Sequence, residues 1–69
     1  MVAWIQLQSS VISAAAYQGS TLYLRFLSNR EYAYYNVPRN IYEELISASS
    51  VGHYFNINIK DHYRYKRIT

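Results

Sequence analysis

A single proline, Pro38, divides this chain into two halves with different hydrophobic periods, and that division limits the folds open to it. Before Pro38 the apolar residues alternate, as strand residues do. After it they recur at helical spacing. Thr21 to Leu27 alternates most clearly, with Leu22, Leu24 and Phe26 on one face and Thr21, Tyr23 and Arg25 on the other. Trp4 to Gln8 and Val11 to Tyr17 read as two earlier strands, separated by Ser9-Ser10. Gln18-Gly19-Ser20 is a turn. Ser28-Asn29-Arg30 is another, because asparagine tolerates left-handed geometry. Glu31 to Asn36 follows as a strand with Tyr32 and Tyr34 on one face and Ala33 and Tyr35 on the other. Short turns between such strands predict an antiparallel meander.

Beyond the proline, Ile41, Tyr42, Leu45 and Ile46 predict a helix over about 38–48, with Pro38 in its first turn. Ser49-Ser50 offers an N-cap for a second helix, whose stripe is Val51, Tyr54, Phe55 and Ile59. The segment Tyr63-Arg64-Tyr65-Lys66-Arg67 alternates aromatic and basic residues, as an edge strand or an extended arm. The predicted fold class is α+β: a small antiparallel β-meander of three to four strands followed by two helices packed on one face.

Size then restricts stability. Sixty-nine residues predict a single domain, 1–69. A chain of this length buries only about 60% of its unfolded surface. Its core supplies no more than about 3–5 kcal/mol. The sequence has no cysteine, so disulfides and thiolate metal sites are excluded. Self-association is the remaining source of burial, and a homo-oligomer is expected. The first residues have no basic n-region or long apolar run, and no segment reaches ~18 consecutive apolar residues. A cytoplasmic protein with no membrane partner follows as an expectation.

Nine residues are tyrosine and the formal net charge is +3. Tyrosine has a flat apolar face and a polar tip, so it fills a core or stacks on a base. Basic groups collect near the end, at Lys60, Arg64, Lys66 and Arg67, and attract phosphates. Catalysis has little support. Glu43 and Glu44 are adjacent on a helix and point apart. His53 and His62 lack local metal-pair spacing. There is no P-loop, no GxGxxG and no nucleophile elbow. The expectation is a binding protein, not an enzyme, with no cofactor and no metal.

Two groups of residues have alternative roles. Gly52 lies in the first turn of the second helix, where glycine costs about 1 kcal/mol relative to alanine. Either Ser49, Ser50 and Gly52 form a phosphate seat on free backbone N–H groups, or Ser50 caps the helix and Gly52 permits tight helix–helix packing. Tyr42, Tyr54 and Phe55 fit the core. Tyr23 and Arg25 share the non-core strand face and suit stacking and cation–π contact. Tyr32 and Tyr34 suit either core or ligand platform. Bases stacked on Tyr23, Tyr32 or Tyr34, with phosphates on Arg25, Arg30, Lys60 or Arg64, make a nucleotide site. His53 and Asn56 of the second helix complete the candidate ligand-binding set.

The ordered set of Ser9-Ser10, Tyr17, Leu22-Tyr23-Leu24-Arg25-Phe26, Tyr32-Ala33-Tyr34, Val37-Pro38 and Tyr42 continues through Ala48-Ser49-Ser50-Val51-Gly52-His53-Tyr54-Phe55-Asn56, Ile59 and Tyr63. It resembles the KTSC domain, named for the C-terminal extension of some lysyl-tRNA synthetases. Asn29-Arg30 departs from the pattern, standing where a glycine-containing turn is expected. The resemblance implies a binder. Attachment to a tRNA synthetase implies RNA as the partner. Stand-alone copies in bacteria and their phages imply stoichiometric capture of a host molecule. Three readings follow. One is a homo-oligomeric sponge for a signalling nucleotide, such as a cyclic dinucleotide, in phage counter-defence in the host cytoplasm. The second is an RNA-binding accessory domain. The third is a protein–protein interaction module.

Overall fold

The computed structural model describes residues 3–69. A five-stranded antiparallel sheet has its strands in sequence order. They are β1 (Ile5–Gln6), β2 (Ile12–Gln18), β3 (Thr21–Phe26), β4 (Glu31–Tyr34) and β5 (Tyr65–Arg67), with α1 (Arg39–Ser47) and α2 (Val51–Asn58) between β4 and β5. The α+β class is as the sequence predicts. The sheet has one strand more than the three to four expected, because the C-terminal segment returns after the helices and pairs with β4.

The turns form where the sequence demands positive φ. Gly19 has φ 63, joining β2 to β3. Asn29 has φ 68 between β3 and β4, so asparagine does there what glycine would do. A register shift between Ile12 and Ala14 bends β2 and leaves both Ile12 and Ala15 facing the core. Leu22 and Leu24 are fully buried on that face, and Phe26 packs against it, as their alternation predicts.

Both helices cover this one face. Tyr42 and Leu45 bury the inner side of α1, while Val51, Phe55 and Ile59 bury that of α2. Pro38 stands as the residue before α1, extended at φ −62 and ψ 147. Ser50 caps α2, its hydroxyl accepting from the His53 N–H at 3.3 Å. Tyr17 stacks on Tyr42 at 5.2 Å between centroids and donates its hydroxyl to the Val37 carbonyl. That bond satisfies an acceptor belonging to a fully buried residue.

The outer face of the sheet is built differently. Ala14, Ala16 and Ala33 are no more than 2% exposed, Ala14 opposite Arg25 and Ala16 and Ala33 opposite Tyr23 on either side of β3. Trp4 packs edge-on against Tyr23 at 6.4 Å, and the Arg25 guanidinium lies 4.5 Å from its ring centroid. Arg25 also pairs with Glu31 at 2.7 Å. Among the described residues, no helix is long and apolar enough to cross a membrane.

Candidate functional site

Strands β4 and β5 bring tyrosines together from opposite ends of the chain. Tyr34 and Tyr65 are register partners, so their rings project from the same face, 5.5 Å apart. Tyr32 lies 5.8 Å from Tyr65 and 6.5 Å from Tyr34. Phe26 meets Tyr32 and Phe55 edge-on at 5.6 and 5.5 Å, and Phe55 meets Tyr34 at 5.8 Å. Five rings thus form one continuous floor, each edge-to-face or tilted contact being favourable to the ring quadrupoles. The floor is graded: Tyr34 and Phe55 are buried, Tyr32 is half-buried, and Tyr65 is 59% exposed.

Over this floor lies an open pocket of about 410 Å³. Its polar rim has two walls. The β3–β4 turn supplies Ser28 and Arg30, and the C-terminal end of α2 supplies Asn56, Lys60 and Asp61. Two hydrogen bonds hold the turn: the Phe26 N–H donates to the Arg30 carbonyl and the Asn29 N–H to the Phe26 carbonyl, both at 2.9 Å. The other wall ends at Asp61, whose φ of 66 breaks the helical course. Burial, with the neighbouring Tyr32, Tyr65 and Asp61, pushes the Tyr34 pKa up to about 12. The phenol at the base of the pocket is therefore neutral at ordinary pH.

The pocket unites Arg30, Tyr32, Tyr34, Asn56 and Lys60 from the candidate set. The remaining candidates lie elsewhere. Tyr23 and Arg25 face the opposite side of the sheet, where Arg25 is engaged with Trp4 and Glu31. Ser49, Ser50 and His53 line a separate groove between the helices, beside Glu44. There the Tyr54 hydroxyl donates to Glu44 Oε1 at 2.6 Å, and desolvation together with that bond pushes the Tyr54 pKa up to about 12. No lysine or arginine lines that groove. Gly52 lines neither: a Cβ there would lie 3.0 Å from Val11 Cγ2, so the glycine lets α2 approach the segment before β2, not the other helix as the sequence suggests. The Arg64 carbonyl accepts from the Tyr35 N–H at 2.9 Å, and its side chain is exposed outside the pocket.

Sequence reasoning missed Tyr65, Phe26, Phe55, Ser28 and Asp61 as pocket residues. Tyr65 joins only through pairing with a strand thirty residues away in sequence, which no local pattern reveals. Among the described residues, no group of three or more histidines, aspartates or glutamates could hold a metal ion.

The KTSC domain family model matches residues 8–63. A protein of Tsukamurella paurometabola is 37% identical over 59 residues, 83% of this chain and 88% of its own length. A protein of Stutzerimonas stutzeri is 37% identical over 67 residues, covering 93% of this chain and 94% of its own. The lysine–tRNA ligase of a Nostoc species is 38% identical over 64 residues, 90% of this chain but only 11% of the ligase. Among solved structures, the crystal structure of a KTSC domain protein from Yersinia pestis superposes with a TM-score of 0.94 at 25% identity, over the whole of both chains.

Proposed function

We propose, from the premise that this chain belongs to the KTSC domain family, that it is a non-enzymatic binder of a small nucleotide. The supporting observation is the aromatic floor beneath a cationic rim in one pocket. Tyr65 and Tyr32 present rings on which a base stacks, an interaction worth about 1–3 kcal/mol per base. Arg30 attracts the phosphate, and Lys60 adds positive charge to the opposite rim. A volume of about 410 Å³ is within the range of small-ligand sites. Function then consists of capture: a homo-oligomeric sponge that sequesters a signalling nucleotide, a cyclic dinucleotide among them, as in phage counter-defence within the host cytoplasm.

RNA is the second reading, and one observation favours it. The Nostoc relative is a lysine–tRNA ligase, and this chain matches a small part of it. A splayed-out RNA base could use the same floor.

Thermal denaturation with mononucleotides, cyclic dinucleotides and short RNA oligomers tests both. A ligand at 100 times its dissociation constant stabilises the fold by about 2.7 kcal/mol. The expected result is a rise with a small nucleotide that Tyr65→Ala and Arg30→Ala each diminish. A rise with RNA alone, fading as salt is added, favours the second reading. No rise with any of them ends both.

A further inference from the structure

The two walls of the pocket are not electrically equivalent, and the difference fixes how a nucleotide would sit. The β3–β4 turn contributes a guanidinium and a hydroxyl, Arg30 and Ser28. The α2 wall contributes Lys60, but also the Asp61 carboxylate and the Asn56 amide. Among the described residues no lysine or arginine nitrogen lies within 4.0 Å of that carboxylate, and it accepts no hydrogen bond. It is close enough to the floor to help raise the pKa of the Tyr34 phenol.

A second feature adds to this asymmetry. The α2 wall is the C-terminal end of its helix, where carbonyl dipoles place partial negative charge. A phosphate against this wall would meet the Asp61 carboxylate, which with the helix dipole offsets the attraction of Lys60. Hydrogen-bond donors would be welcomed there. The phosphate therefore belongs at Arg30 and Ser28, and the edge of the stacked base at Asn56 and Asp61.

The base edge that fits is one with two adjacent donors and a neighbouring acceptor. Guanine presents N1–H and the N2 amino group as donors, and O6 as acceptor. A carboxylate takes both donors, and the Asn56 amide nitrogen donates to O6. Adenine presents an unprotonated N1 instead, which would face the Asp61 oxygens lone pair to lone pair. Resting on the nucleotide reading of this pocket, we infer that the site selects guanine, with Asp61 reading N1–H and the N2 amino group beside Asn56, while Arg30 holds the phosphate. Asp61 is the specificity determinant of the site.

Titration calorimetry at fixed ionic strength tests this with GMP, IMP and AMP, and with cyclic di-GMP against cyclic di-AMP. The guanine member of each pair binds at least about fivefold tighter than the adenine member, the least discrimination expected of a good two-point contact. IMP, lacking the N2 amino group, falls between GMP and AMP. Asp61→Asn weakens GMP and tightens AMP, bringing the two to within about twofold, because the amide keeps one acceptor but sets an NH2 donor that repels guanine N1–H and suits adenine N1. Asparagine tolerates positive φ as aspartate does, so the turn is kept. Its melting temperature verifies this. Equal affinity for guanine and adenine nucleotides, or a guanine preference that survives Asp61→Asn, overturns the inference while leaving the nucleotide reading in place. If none of these nucleotides binds, the nucleotide reading falls and guanine selection falls with it.

Discussion

At the scale of single residues, the same side-chain type serves opposite ends. Tyr34 is 5% exposed and belongs to the core, while its register partner Tyr65 is 59% exposed and open to a ligand. Alternation alone leaves Tyr32 and Tyr34 equally suited to either role, and only the helices laid over the sheet distinguish them. The buried phenol has a measurable consequence. Its pKa is pushed up from 10.0 to about 12, chiefly by burial. A phenol raised in this way contributes stability that is fully present below pH 10 and is lost as pH climbs through 12, because the unfolded chain gives up its proton first. Folding stability should therefore decline between pH 10 and pH 12. A spectrophotometric titration should show phenolate absorbance gained near pH 12 from both Tyr34 and Tyr54, and the Tyr34 share should disappear in Tyr34→Phe while the Tyr54 share stays. If the late absorbance is undiminished in that variant, the assignment to Tyr34 is wrong.

At the scale of elements, local chemistry in the sequence explains most of what forms. Gly19 and Asn29 take the positive φ their turns require, and Ser50 caps α2 as its position before Val51 implies. Asn36, with φ 57, and the bulge in β2 had no comparably clear signal. The alternation at residues 63–67 offers an edge strand or an extended arm, and β5 is the edge strand, but nothing local signals its pairing with β4 across the two intervening helices. The candidate site suffered from the same blindness. Arg30, Tyr32, Tyr34, Asn56 and Lys60 were legible by residue type, but Tyr23 and Arg25 fell on the wrong side of the sheet for that pocket. Which aromatic–cation pairs share a face can be read within one strand, and which strands meet cannot. The cap also separates two roles for Ser50. Ser50→Ala should lower stability by about 1 kcal/mol in urea denaturation, the usual loss for a removed cap. It should leave nucleotide affinity unchanged, since Ser50 lies in the groove between the helices and not over the aromatic floor. A large drop in affinity with little change in stability would return the phosphate to the α2 N-terminus.

At the scale of the whole molecule, one copy closes its own core. The radius of gyration is 10.6 Å, near the roughly 11 Å expected for a compact chain of this length. Among the described residues, fourteen apolar ones are buried without help from a partner. Lack of burial was the argument for self-association, and this core weakens it as a condition for folding. Association of copies is instead a matter of ligand capture in the proposal above. The melting temperature should accordingly stay constant over a hundredfold dilution of the protein, about that range being enough to reveal an obligate oligomer by mass action. Scanning calorimetry at the two ends of the range decides it, and a midpoint that falls on dilution would mean that the fold requires its partner.

The sequential order of the strands places β1 and β5 at opposite margins of the sheet. With neighbouring strands about 4.8 Å apart, roughly 19 Å separates these margins. The pocket lies against the β5 margin, beside Tyr65. An affinity handle joined ahead of β1 would hold the molecule from behind and leave the mouth open to solution. A handle joined after Thr69 would emerge beside Glu31, next to the Arg30 wall of the pocket, and compete for its surface, so the two attachments should report different apparent affinities for the same nucleotide.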